Sequence, residues 1–133
     1  MATLYLLDTN TSSYAIKGNI PRVRQRLLRH APDEIAVSVI TEAELRFGVE
    51  RHPAAARLRI GVEAFLASVQ VLVWHSSAAV EYGRLRATLE RSGTRVGNLD
   101  LMIAAHALAL DAVLVTNDRV FRYVKELAIE DWT

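Results

Sequence analysis

The sequence contains no cysteine among its 133 residues, and this absence excludes disulfide bridges and thiolate metal sites. A chain without cysteine suits a reducing compartment, so we expect a cytoplasmic protein. Lysine is scarce as well, because every basic residue except Lys17 and Lys125 is arginine. The net charge is only +1, so bulk charge indicates no class of partner.

Long hydrophobic runs are also lacking. The most apolar stretch, residues 101–115, is interrupted by His106 and Asp111 and is too short to span a bilayer. No basic residue precedes the short apolar run near the start, unlike in a secretory signal. These features predict a soluble protein without a membrane partner.

What is present is a pattern of short apolar runs that alternate with helical stretches. Hydrophobic residues make up 51% of the chain, enough for one core, and we expect one domain over residues 1–133. The pattern predicts strands at residues 3–7, 35–39, 69–74 and 113–116, with a last edge strand near 128–129. It predicts helices at residues 11–17, 22–30, 53–68 and 76–92, and others beginning near Thr41, Asn98 and Asp118. The fold class is α/β, with a mainly parallel central sheet of four or five strands flanked by helices.

Four carboxylates occupy equivalent places in this pattern: Asp8, Glu42, Asp100 and Asp118. Three of them follow predicted strands, and ligand sites in open α/β sheets lie beyond the carboxyl ends of strands. Asp100 opens the helix before the fourth strand, and a parallel sheet brings the start of that helix to the same edge. Asp100 also shares a helix face with apolar residues, where an unpaired charge is costly. The sequence therefore predicts that the four acids meet.

Carboxylates that lie this close together favour a bound cation. Two carboxylates about 4 Å apart repel by about 4 kcal/mol at an effective dielectric near 20. Ligand sets made only of oxygen select hard ions, so we expect Mg²⁺ or Mn²⁺. A Mg²⁺ that keeps its waters suits metal-assisted hydrolysis of a phosphodiester.

Simpler structural roles compete with this interpretation. The helix macrodipole favours acids in a first turn whatever their function. Thr41 and Glu44 have the spacing of a capping box, so we assign Glu44 to structure and Glu42 to function. The arginines of residues 22–29 fit either a solvated helix face or a contact to an RNA backbone. The four histidines share no metal-ligand spacing and are interpreted as surface or packing residues.

Taken together, the motifs resemble those of PIN-domain ribonucleases, specifically VapC-type toxins of type II toxin–antitoxin systems. The likeness runs nearly end to end and rests on the segments Leu7–Asn10, Val39–Leu45, Gly97–Ala107, Val115–Phe121 and Glu130–Trp132.

The resemblance implies a Mg²⁺- or Mn²⁺-dependent endoribonuclease with Asp8, Glu42, Asp100 and Asp118 as its catalytic acids. Asp8, Asp100 and Asp118 match metal-binding positions, while Asn10 and Thr116 match supporting polar ones. It also implies an RNA substrate, often tRNA or another structured RNA, and a homodimer. A cognate VapB-type antitoxin would silence the enzyme and bring it to operator DNA.

Three alternatives compete with this interpretation. A signalling receiver domain would need paired acids after the first strand, but Asp8 stands alone. An aspartyl phosphatase would need an acid two residues after Asp8, where Asn10 stands. A catalytically inactive PIN fold that serves as a binding module is the remaining alternative, and the presence of all four acids argues against it.

Overall fold

The computed structural model describes residues 2–133 and shows five strands, six α-helices and two 3-10 helices in the described part. The strands are β1 (Tyr5–Leu7), β2 (Ile35–Ser38), β3 (Gln70–Leu72), β4 (Val113–Val115) and β5 (Ile129–Glu130). The α-helices are α1 (Thr9–Lys17), α2 (Pro21–Leu27), α3 (Val39–Arg51), α4 (Ala56–Ser68), α5 (Ser76–Arg91) and α6 (Asn98–Ala109). The 3-10 helices are Pro32–Glu34 and Arg119–Tyr123.

All five strands form one sheet in the order β3-β2-β1-β4-β5, and every neighbouring pair is parallel. The predicted α/β class and the parallel sheet are confirmed, and the edge strand predicted near residues 128–129 is present as β5. Because β1 is central, β2 and β4 flank it on either side. Their carboxyl ends meet at one edge, which is where ligands bind in open α/β sheets.

Alternation along the strands places a core on each face of the sheet. In β1, Leu6 joins the apolar cluster of α5 and α6, and the next residue, Leu7, joins that of α1 to α4. Successive side chains of a strand point to opposite faces, so both of these leucines are fully buried. The helices thus cover the sheet on both sides.

Several helix boundaries differ from the sequence prediction: α1 begins at Thr9, α2 ends at Leu27, and the starts of α3 and α4 are displaced. Helix α3 begins at Val39 rather than after Thr41, because the Ser38 hydroxyl caps it by accepting a hydrogen bond from the Ile40 N–H at 3.0 Å. The proposed Thr41–Glu44 capping box is therefore wrong. Helix α4 begins at Ala56 and not at Pro53, since residues 53–55 form a turn.

The C-terminal segment is anchored by an aromatic residue. Trp132 is buried and stacks on His30 with ring centroids 5.2 Å apart. The guanidinium of Arg26 lies 5.2 Å from the Trp132 ring and 3.0 Å from Glu130. Within residues 2–133, no helix is both long enough and apolar enough to cross a membrane.

Candidate active site

Asp8 lies at the junction of β1 and α1, at the carboxyl edge of the sheet. Its Oδ1 accepts a hydrogen bond from the Thr11 N–H at 2.8 Å, which makes Asp8 the N-cap of α1. Its Oδ2 accepts a hydrogen bond from the Thr116 hydroxyl at 2.6 Å. Thr116 directly follows β4, so this contact joins the ends of the two adjacent central strands.

The Asp8 carboxyl is only 3% exposed, and burial raises its pKa. The hydrogen bonds from Thr116 and Thr11 oppose that shift, while the negative charge of Asp118 adds to it. Burial disfavours the charged form of an acid, and a like charge nearby acts in the same direction. Asp8 and Asp118 are therefore electrostatic neighbours.

Asp118 is held by the same threonine. Its N–H donates to the Thr116 hydroxyl oxygen at 3.0 Å, and its Oδ1 accepts from the Val120 N–H at 3.0 Å. Asp118 thereby caps the 3-10 helix that follows β4. A single buried threonine thus connects two of the acids expected at this edge.

Asp100 completes the group from the first turn of α6. Its pKa is raised to about 6, chiefly by burial and then by the charges of Asp118, Glu44 and Asp8. An acid surrounded by other acids has this shift because each neighbour opposes its ionisation. The structure thus brings Asp8, Asp100 and Asp118 together, and it adds Glu44 to them.

Glu44 projects from α3 and is fixed by Thr9. The Thr9 hydroxyl donates to Glu44 Oε1 at 2.6 Å, and the Thr9 and Thr41 hydroxyl oxygens are 3.2 Å apart. Because Thr9 has one hydroxyl hydrogen, Thr41 is the donor in that second contact. Thr9 and Thr41 are site residues that the sequence analysis did not identify.

Glu42 makes its side-chain contact outside this group of acids. Its Oε2 accepts a hydrogen bond from Arg46 Nε at 2.9 Å, and Arg46 also pairs with Glu63 at 2.6 Å. Residues two apart on a helix lie on different faces, so Glu42 and Glu44 cannot both face the other acids. These contacts therefore favour Glu44, rather than the predicted Glu42, as the glutamate near Asp100.

One sequence signal could have separated the two glutamates. Glu42 and Arg46 are four residues apart with the acid first, which is the favourable order for an ion pair on a helix. The same spacing is not available to Glu44, since Gly48 stands four residues after it.

Asn10 and Thr116 were both expected to support the site. Thr116 contacts Asp8 and Asp118 directly, as described above. Asn10 is exposed in the first turn of α1, and within residues 2–133 its side chain makes no hydrogen bond.

A buried histidine links the two helices that carry Glu44 and Asp100. His106 of α6 is 2% exposed, and its Nδ1 lies 2.9 Å from the hydroxyl oxygen of Ser38, the N-cap of α3. Burial lowers the His106 pKa, while a hydrogen bond with the Val73 backbone partly offsets this effect. A neutral ring that donates to the Val73 carbonyl through Nε2 leaves Nδ1 to accept from Ser38.

The donor set fits a hard divalent cation held by few protein ligands. The carboxylates at this edge offer only oxygen, and the charges of Asp118, Glu44 and Asp8 add to the effect of burial in raising the pKa of Asp100. Across the described residues, no three His, Cys, Asp or Glu side chains form a cage around one point. Mg²⁺ commonly binds through one or two carboxylates and keeps several waters, which matches this arrangement.

The sequence matches the PIN domain family over residues 5–127. It is 39% identical over 129 residues to the tRNA(fMet)-specific endonuclease VapC of Salmonella typhimurium, which covers 96% of this chain and 97% of that protein. The chain belongs to the PIN-domain family, among the VapC proteins. The resemblance seen in the sequence is thereby confirmed.

Solved structures agree with this PIN-domain assignment. The DNA-bound VapBC of Salmonella typhimurium has a chain with a TM-score of 0.92 and 38% identity, covering 98% of this chain and 99% of that one. VapBC2 of Rickettsia felis, bound to a DNA fragment from its promoter, gives a TM-score of 0.91 at 34% identity and covers 98% and 100%. The VapC-type fold therefore spans nearly the whole of both chains.

Proposed function

We propose that this protein is a metal-dependent endoribonuclease toxin of a type II toxin–antitoxin system, with residues 1–133 acting as one PIN domain. The observation that carries the proposal is the group of carboxylates at the carboxyl edge of the sheet. Asp8, Asp100, Asp118 and Glu44 influence one another there, and no structural ion pair accounts for their meeting within the described residues. Relatives named as VapC ribonucleases support the same chemistry.

Each acid has a role in this proposal. Asp8 and Asp100 would hold Mg²⁺ or Mn²⁺, Asp118 would bind a water of that ion, and Glu44 would take the fourth place that was expected for Glu42. A bound divalent cation supplies charge stabilisation at the scissile phosphate and a water of lowered pKa. Thr116 and Thr9 orient Asp8 and Glu44 through short hydrogen bonds. Asn10 is free to contact the substrate.

Substrate and partners follow from the relatives. The Salmonella typhimurium VapC is named for its action on tRNA(fMet), so we propose tRNA as the first substrate to test. Solved relatives are VapBC assemblies, two of them with DNA, so we propose a VapB-type antitoxin as the partner. That antitoxin would connect this protein to operator DNA. We propose a homodimer as the toxin's own assembly.

A matched pair of variants tests the assignment of the site. With tRNA and Mn²⁺ or Mg²⁺, Glu44→Gln should lower the cleavage rate by about 100-fold or more, as expected for loss of a group at the reacting centre. Glu42→Gln, two residues away, should stay within about threefold of the parent, because Glu42 pairs with Arg46. Asp100→Asn should be as inactive as Glu44→Gln.

Other results of the same assay would contradict the proposal. If Glu42→Gln loses most of the cleavage activity while Glu44→Gln keeps all of it, then Glu42 and not Glu44 is the fourth acid of the site. Cleavage that survives Asp100→Asn, or that persists in excess EDTA, would defeat the metal-dependent mechanism. No cleavage of any RNA by the correctly folded parent would leave the inactive binding module as the better description.

A further inference from the structure

A cavity lies beside Asp100, between the end of α5 and the start of α6. It encloses about 530 Å³. Its lining is more polar than apolar. Thr94, Arg95 and Asn98 contribute polar groups and the pair Arg86–Glu90 contributes charged ones, while Leu89, Val96 and Leu101 supply the apolar part. A lining of both kinds is suited to a ligand that has an aromatic ring and hydrogen-bonding edges.

The wall of this cavity is rigid because α5 ends in a Schellman motif. Gly93 has a left-handed backbone with φ of 69°, its N–H donates to the Glu90 carbonyl at 3.1 Å, and the Thr94 N–H donates to the Leu89 carbonyl at 2.9 Å. The Thr94 hydroxyl also lies 3.0 Å from that of Ser92. A preformed wall reduces the entropy lost when a ligand binds.

Arg95 is the cation that this cavity offers. Its side chain is exposed, and within residues 2–133 it makes neither an ion pair nor a side-chain hydrogen bond. The other arginine at the cavity, Arg86, is already occupied by Glu90 at 3.2 Å and by the Tyr82 hydroxyl at 3.1 Å. Arg95 therefore retains its full capacity to bind an anion, and its planar fork matches a phosphate.

The cavity borders the acids at Gly97. Gly97 lines the cavity, and a Cβ placed on it would lie 3.8 Å from Asp100 Oδ2. Asn98, at the rim, is two residues before Asp100 in the same helix turn. A group bound in the cavity would therefore be the immediate neighbour of a phosphodiester at the acids.

We propose that this cavity is a nucleotide subsite, which holds one unstacked nucleotide of the RNA strand next to the scissile bond. Arg95 contacts its phosphate, the base packs over Leu89 and Val96, and Asn98 and Thr94 bind its polar edge. Single-stranded RNA is usually bound by stacking of its bases on aromatic or arginine side chains and by cationic contacts to its backbone, and in this cavity Arg95 supplies the cation. This inference rests on the proposed ribonuclease function and assigns a specificity-determining role to residues 94–98.

Binding without catalysis tests the subsite. The metal-free ¹⁵N-labelled protein is titrated with AMP, CMP, GMP and UMP, and amide shifts are followed by NMR. At least one nucleotide should shift the signals of residues 94–98, and Arg95→Ala should weaken its binding by about fivefold to tenfold. Arg57→Ala is the control, because Arg57 is an exposed arginine of α4 with no ion pair in the described chain. It should change binding by less than about twofold.

Four results would overturn the subsite. Inorganic phosphate alone could reproduce the shifts at the same concentration, which would reduce the cavity to an anion contact. Nucleotides could bind elsewhere or equally well to Arg95→Ala. Arg95→Ala could instead change the sedimentation coefficient, which would make the cavity a contact between two copies of the chain. Since the titration needs no cleavage, nucleotide binding in a protein that fails the nuclease assay would refute the enzyme and not the subsite.

Discussion

Asp100 carries an unfavourable charge in the metal-free protein, because burial and the carboxylates of Asp118, Glu44 and Asp8 all oppose its ionisation. Its pKa is about 6 in the folded state against 3.8 for an unperturbed aspartate. The folded state therefore holds the proton more tightly than the unfolded state. Linkage then requires the free energy of unfolding to fall as pH rises from about 4 through about 6.

Replacing this acid by its neutral amide should remove that penalty. In EDTA at pH 7.5, Asp100→Asn should raise the free energy of unfolding by about 1–2 kcal/mol, a figure reduced for the half-exposed position. The measurement is urea denaturation at pH 5 and pH 7.5. The parent should lose stability between these two values, and the variant should lose less.

The opposite result is equally informative. If Asp100→Asn lowers stability at pH 7.5, then the favourable interaction of an acid with the start of α6 outweighs the repulsion. Asp100 would in that case be mainly a helix-start residue.

Sequence reasoning placed three of the acids but did not distinguish Glu42 from Glu44. Asp8, Asp100 and Asp118 could be placed at one edge because strand ends and a helix start follow from apolar patterning. Glu42 and Glu44 could not be told apart in this way, since the face of α3 depends on where the helix begins. Ser38 caps α3, while Thr41, the expected cap, is buried against Thr9.

A buried hydrogen bond between the Ser38 hydroxyl, at the start of α3, and His106 of α6 connects these two helices. Ser38 also accepts the hydrogen bond of the Ile40 N–H, so its oxygen serves both helices. Polar groups buried in an interface must keep their partners, because an unsatisfied donor or acceptor costs about 1–3 kcal/mol.

Substituting His106 should therefore lower the free energy of unfolding by more than the loss of its side-chain packing alone would. His106→Leu keeps a side chain of similar size but leaves the Ser38 hydroxyl hydrogen without an acceptor and removes the donor to the Val73 carbonyl. We expect a loss of about 2–4 kcal/mol in the free energy of unfolding.

A double-mutant cycle with Ser38→Ala isolates the contact. The two substitutions together should cost less than the sum of their separate effects, with a coupling of about 1–2 kcal/mol. Strict additivity would show that His106 stabilises α6 alone and does not connect it to α3.

At the level of elements, the sequence predicted most of the sheet, because buried parallel strands form continuous apolar runs that are easily recognised. Boundaries were less predictable where two signals competed. Pro53 is a residue that often opens a helix, yet α4 begins at Ala56, because the carbonyl of His52 accepts the Ala55 N–H at 2.9 Å and forms a turn first.

For the molecule as a whole, the proposed cation is a stabilising ligand. A ligand that binds only the folded state raises its stability by RT ln(1 + [L]/Kd), which is about 1.4 kcal/mol at tenfold excess over Kd. Mg²⁺ or Mn²⁺ at millimolar concentration should therefore raise the Tm by a few degrees. Differential scanning calorimetry against NaCl of equal ionic strength measures this.

The variant Asp100→Asn serves as the reference for that experiment. Its Tm should respond to the metal clearly less than the parent's. An equal response in both proteins, or none in either, would mean that the cation does not bind at the shared acids.

The position of β1 in the centre of the sheet has a consequence for biosynthesis. Residues 5–7 pair with residues 113–115, and Asp8 bonds to Thr116 across 108 positions of the chain. Contacts of such long range form late, because the intervening polypeptide must first be made and closed into a loop. A ribosome-bound nascent chain thus carries Asp8 long before it has β4, and the acids of the candidate site cannot come together until residues 100–118 have been made.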